Sequence, residues 1–132
     1  MIDIYTDGSA NNAYAVCGYM AYTNHVLTEQ KTKRLANVSA NLAEMLAILM
    51  ALTDYPSQAL RIYTDSEYVV KTISGEYKPK KYVDLWNTTK QLIQESGTQV
   101  THVRAHNKND RNNQIDKLVR TTLRKGNNKN VR

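Results

Sequence analysis

The chain has a single cysteine, Cys17, among its 132 residues. One thiol cannot close an internal disulfide, so the fold must be held by its core, and a reducing compartment, the cytoplasm, is the expected setting. No apolar run approaches the ~18 residues that a membrane-spanning helix needs. The start of the chain carries no charged-then-apolar leader, and strand character begins directly after Met1, which favours a free-standing protein. No stretch of Pro, Gly or Ser divides the sequence into parts, so one domain is expected. A chain of this length buries roughly two-thirds of its unfolded surface. Its hydrophobic content of 41% is that of an ordinary globule.

Net charge is +6, and it is unevenly placed. Of 18 Lys and Arg, six lie beyond Asp116 (Lys117, Arg120, Arg124, Lys125, Lys129, Arg132), so the remaining 12 balance all 12 Asp and Glu. A neutral body with a basic end suits a polyanionic partner such as nucleic acid. A solvated helix face followed by a frayed tail would give the same charge pattern.

Residues 2–6 alternate, with Ile2, Ile4 and Thr6 on one side and Asp3, Tyr5 and Asp7 on the other. Residues 14–24 and 25–34 read as second and third strands joined by a tight turn at Asn24-His25. The period then changes. Ser39 is a good N-cap, and Leu42, Met45, Leu46 and Leu49 follow at helical spacing, so a helix over about 40–53 is expected, buried on most sides. Residues 60–65 form a strand, 66–74 a short helix ended at Gly75, and 83–95 another helix ended at Ser96-Gly97. Residues 99–105 form a fifth strand and 111–124 a last helix. The order βββαβααβα predicts an α/β fold: a five-stranded mixed sheet, three strands antiparallel and two parallel, flanked by about four helices.

I-Y-T-D occurs at residues 4–7 and again at 62–65. The intervening helix returns the chain over the sheet, so the two strands can be parallel neighbours whose identical ends reach the same height. Asp7 and Asp65 would then meet at the carboxyl edge of the sheet, where open α/β sheets place ligands. Glu44 lies in an almost wholly apolar helix, an awkward place for an unpaired charge. Asp116 sits at the edge of the last helix's apolar stripe. Clustered carboxylates repel unless a proton or a cation sits between them, and Mg²⁺ prefers such oxygen ligands. Taken singly, each acid has a plainer reading: Asp65 a helix cap, Asp7-Gly8 a turn, Glu44 a solvent-facing stripe, Asp116 a surface residue.

I-Y-T-D-G-S-A, A-N-L-A-E-M-L-A, I-Y-T-D-S-E-Y-V and V-R-A-H-N-K-N-D-R-N-N-Q-I-D-K-L-V, in that order, closely resemble the type I ribonuclease H family, from Ile2 to about Leu123. V-D-L-W at 83–86 resembles the opening of a further family helix. The resemblance implies a ribonuclease H domain over 1–124, a basic tail over 125–132, and hydrolysis of the RNA strand of RNA–DNA hybrids to 5′-phosphate and 3′-hydroxyl ends. It implies Asp7, Glu44, Asp65 and Asp116 as catalytic ligands of two Mg²⁺ ions, with Mn²⁺ able to substitute, and His106 as proton carrier or product-release aid. For the hybrid it points to Gly8, Ser9, Asn12 (or Asn11), Asn41, Ser66, Glu67 and Asn112. Lys80, Lys81, Lys117, Arg120 and Arg124 are candidates for phosphates. Tyr77 and Tyr82 could reach the DNA strand; Trp86 reads as core, as does Cys17. A monomer is expected, no membrane is implied, and partners in replication or reverse transcription are left unspecified.

The chain departs from the family pattern in three places. A-N-N-A-Y-A-V-C replaces a glycine- and proline-rich loop, Asn113 stands where glutamate is common, and only G-E-Y-K-P-K-K-Y occupies the place of a basic handle helix. Lys78, Lys80 and Lys81 can restore some of that charge. Three alternatives stay open: an integrase- or resolvase-like DNA nuclease, a non-catalytic binding module of the same fold, and the tail domain of a reverse transcriptase.

Overall fold

The computed structural model describes residues 1–104 and 110–130, excluding the side chains of 126–130. Strands β1 (Ile2–Ala10), β2 (Ala15–Thr23) and β3 (Val26–Leu35) form an antiparallel meander; α1 (Ala40–Asp54) leads to β4 (Leu60–Thr64). Then come α2 (Glu67–Ile73), α3 (Val83–Ser96), β5 (Gln99–His102) and α4 (Asp110–Asn130). The sheet order is β3-β2-β1-β4-β5, with β1–β4 and β4–β5 parallel. This is the mixed sheet that the change of hydrophobic period predicts. No helix among the described residues is long and apolar enough to cross a membrane.

Alternation along the central strands feeds two cores. Ile4, Tyr19, Leu60 and Ile62 pack with Leu42, Met45, Ile48, Val69 and Trp86 on the α1 side. Tyr5, Val16, Met20 and Tyr22 pack with Ile115 and Val119 of α4 on the other. Helix α1 is thus covered by the sheet on one side and by α3 on another, which explains why apolar residues surround most of its circumference. Trp86, 3% exposed, and Cys17 are core residues.

Local signals set the boundaries. Ser39 and Ser66 accept N–H bonds from Leu42 and Val69, capping α1 and α2. Asn24 and His25 both take positive φ, the primed-turn geometry of a two-residue hairpin. Gly97 (φ +73°) ends α3 in the left-handed cap.

Two ends differ from expectation. β5 stops at His102 rather than Ala105, because its partner β4 ends at Thr64, just before Ser66 starts α2. Only one more bond continues the pairing, from Val103 N–H to the Thr64 carbonyl (2.8 Å). Helix α4 continues past Arg124 to Asn130, so the basic segment begins within a helix. A single interior glycine, Gly126, weakens a helix by ~1 kcal/mol and does not by itself stop one.

Candidate active site

The parallel pairing of β1 with β4 matches Ile2 to Leu60, Asp3 to Arg61, Ile4 to Ile62 and Tyr5 to Tyr63, which places the two I-Y-T-D copies in register. On the face toward α4, directly opposed residues form a series. Asp3 accepts from Arg61 Nε (2.6 Å), and Tyr5 stacks on Tyr63 with ring centroids 4.7 Å apart and planes at 16°. Opposite charges and aromatic pairs both favour such a register. Just beyond the last of these pairs stand Asp7 and Asp65, whose carboxylate oxygens come within 4.8 Å, a closeness of like charges that costs stability.

Glu44 joins this pair from α1. Gly8 is the reason the helix comes so close: a Cβ built there would lie 2.4 Å from the carbonyl carbon of Ala43. The Gly8 N–H donates to Glu44 Oε1, which turns that carboxylate toward Asp7. Asp7 is 5% and Glu44 7% exposed. Carboxylate oxygens of Asp7, Glu44 and Asp65 all lie within 4.8 Å of one another.

Such packing disfavours ionisation. Burial pushes the Asp7 carboxyl up to about 7. The charges of Asp65 and Asp116 push the same way, while hydrogen bonding to Glu44 and the Gly8 N–H oppose the rise. Glu44 rises too, first through burial, then through its hydrogen bond with Asp7 and the charges of Asp7 and Asp65. Asp7 Oδ2 is buried and receives no hydrogen bond among the described residues. A buried carboxylate oxygen that no described residue donates to, beside two further carboxylates, fits a hard divalent cation, and in its absence the Asp7–Glu44 pair is held together by a proton.

Asp116 lines the same open depression of about 340 Å³ but stands outside the tight trio. Its Oδ1 accepts from Arg120 Nε (3.2 Å), one helical turn on, and Arg120 also borders the depression. Gly8, Ser9, Asn41 and Ser66 complete the rim. Of the other expected residues, Asn12 is an exposed loop residue. It is Asn11 that builds that loop, its Oδ1 accepting from the Ala13 and Tyr14 N–H groups. Glu67 pairs with Lys71 (2.7 Å). Asn112 is 2% exposed, packed into the fold instead of facing the depression. Lys117 and Arg124 are exposed on α4. His106 lies outside the described residues.

A second, larger cavity of about 560 Å³ adjoins the first through Asn41. Lys78, Lys80 and Lys81 line it with Tyr68, Tyr77, Tyr82 and Ser39. The short bridge before α3 therefore folds back beside the acids. Sequence reading singled out its lysines but missed Tyr68 and Ser39, because only the packing of α2 against α1 brings them together.

A family model described as RNase H matches residues 1–124. A ribonuclease H of Methylobacillus flagellatus is 30% identical over 134 aligned positions, covering 90% of this chain and 89% of its own. The Pol polyprotein of equine infectious anemia virus is 41% identical over 73 residues, 55% of this chain and 6% of that polyprotein. In fold the chain resembles LC11-RNase H1, isolated from compost: TM-score 0.80, 23% identity, 95% of this chain and 96% of that one covered. The structure of LC11-RNase H1 in complex with an RNA/DNA hybrid superposes with a TM-score of 0.74 at 18% identity, covering 93% and 99%.

Proposed function

The chain belongs to the ribonuclease H family, and we propose that it hydrolyses the RNA strand of RNA–DNA hybrids with Asp7, Glu44, Asp65 and Asp116 as the catalytic acids. One observation carries this reading: three carboxylates meet within 4.8 Å around a buried Asp7 oxygen that no described residue donates to. Asp7, Glu44 and Asp65 would hold the ions from the sheet and α1, and Asp116 from α4. Two Mg²⁺ ions, or Mn²⁺ in their place, would supply Lewis-acid activation of water and charge stabilisation at the scissile phosphate, giving 5′-phosphate and 3′-hydroxyl ends.

The chain's own groups have separate tasks. The Gly8 N–H fixes the rotamer of Glu44. Arg120 balances Asp116 until a phosphate competes for its guanidinium. The amide of Asn41 and the hydroxyls of Ser9 and Ser66, on the rim of the depression, suit the 2′-hydroxyls that a wide minor groove displays. Lys80 and Lys81, with Lys117 and Arg124, are exposed cations for phosphate contacts. His106 would carry the proton to the leaving oxygen. Residues 1–124 form the catalytic unit in this reading and the basic end aids binding. The protein acts as a monomer, and its one buried thiol suits the cytoplasm.

The test incubates the protein with labelled RNA–DNA hybrid, duplex RNA and duplex DNA in Mg²⁺, Mn²⁺ or chelator. Cleavage confined to hybrid RNA, and lost with chelator and in Asp7→Asn, is expected. Cutting of duplex or branched DNA would replace this reading with a resolvase-like one, and binding without cleavage with a non-catalytic module.

A further inference from the structure

Arg111 lies outside the acid depression, yet it grips the same two elements that bring Asp116 to Asp7. Its guanidinium carbon sits 4.1 Å from the ring centroid of Tyr22 and 6.0 Å from that of Tyr5. Its Nη2 is 3.4 Å from Nδ1 of His25, at the β2–β3 turn. Tyr22 is held at both ends, since its hydroxyl donates to Gln114 Oε1 (3.2 Å). The two rings meet edge to face at 6.0 Å.

The spacing gives this contact its consequence. Asp116 follows Arg111 by five helical residues, a rise of about 7.5 Å. Asp7 follows Tyr5 by two strand residues on the same face, about 6.6 Å. A cation stacked on Tyr22, whose ring meets Tyr5 edge to face, therefore sets how far α4 slides along β1, and the similar offset brings Asp116 to the depression that Asp7 lines. Farther along, Ile115 and Val119 are fully buried and hold the rotation of α4. Apolar packing of this kind tolerates small shifts along the axis more readily than an oriented guanidinium stack does.

We propose that Arg111 is a positioning residue whose stack on Tyr22 and Tyr5 sets the placement of Asp116 and thereby the affinity of the acid cluster for divalent cations. The proposal rests on the metal-site reading above, but its readout is ion binding rather than cleavage.

Mn²⁺ binding to the 132-residue protein, followed by calorimetry and electron paramagnetic resonance without nucleic acid, tests it. Arg111→Ala should weaken binding about 3- to 10-fold, the range a half-buried cation–π contact can carry. Arg111→Lys should recover part of the loss, Tyr22→Phe should bind nearly as the parent does, and Tyr22→Leu should reproduce the loss. In an Asp116→Asn background, Arg111→Ala should cause no further weakening, because its effect runs through that acid. A lower Tm with unchanged Mn²⁺ affinity in Arg111→Ala and Tyr22→Leu would make the contact merely structural and overturn the proposal. An undiminished effect of Arg111→Ala in the Asp116→Asn background would do the same. If Arg111→Ala does not fold, Arg111→Lys and the two Tyr22 variants decide alone. Failure of the parent protein to cleave hybrid, with these affinities as expected, would remove the nuclease reading and leave this one standing.

Discussion

The main-chain N–H of Gly8 donates to the side chain of Glu44, so the acid on α1 is oriented by the residue that follows the acid on β1. Because α1 rests on the bare Cα of Gly8, Gly8→Ala must push the helix away or distort the strand end. Overpacking of this kind costs about 1–3 kcal/mol, and here it also moves Glu44. Denaturant melts should show the loss of stability, and ion titrations a weaker site. Wild-type values for both would mean that the close approach is not needed.

Asp7→Asn should separate stability from activity. The substitution removes a charge from a buried cluster of acids, so in chelator the variant should be more stable by about 1–3 kcal/mol. Hybrid cleavage should fall by at least about 100-fold. A variant less stable than the parent in chelator would show that the acids do not strain the ion-free fold.

The same strain gives stability a pH dependence with a definite sign. Burial raises Asp7 from its ordinary 3.8 to about 7, so the folded state holds more protons than the unfolded state across that window. Stability of the ion-free protein should then be highest at the acid end and fall as pH rises from about 4 through about 7. Asp54 works in the opposite sense. Burial would raise it, but hydrogen bonds from Lys31 and Tyr19 outweigh that and hold it below its ordinary value. Its contribution is lost only as pH falls through the acid range below 3.8. Thermal melts in EDTA between pH 5 and 8 should give a falling Tm, with Mg²⁺ restoring Tm most at pH 8. A Tm that rises over that range in EDTA would contradict the assignment.

Phosphate contacts should appear in the salt dependence of hybrid binding. Lys80→Ala/Lys81→Ala and Lys117→Ala/Arg124→Ala each remove two exposed cations. Each lost contact should lower the slope of log K against log salt by about one. Binding isotherms from 50 to 200 mM salt measure this, and an unchanged slope in either pair would exclude that face from the interface.

Much of the architecture was legible in the chain itself. Alternation in residues 2–6 separated Ile4 from Tyr5, and these two now lie in different cores. Ser39 and Gly97 marked helix ends because capping is a local matter of one side chain or one φ angle, whereas α2 is capped by Ser66 and not by Asp65, whose carboxylate turns to the acid cluster. The repeated I-Y-T-D pointed to two strands ending together, and their pairing is in register. The end of β5 was not legible, because it depends on where its neighbour β4 stops pairing.

The sequence by itself determined which residues are acids, which faces are apolar and where helices begin, since each of these depends on neighbours a few positions away. Tertiary structure alone decided that Asp7, Glu44 and Asp65 form the tight trio while Asp116 stands apart, turned toward Arg120. It also decided that Asn112 is buried, and that Arg111 rests on tyrosines nearly ninety or more positions earlier in the chain. Those outcomes turn on distances of a few ångströms between elements remote in sequence, and only the packing of α1 and α4 on opposite faces of one sheet fixes such distances.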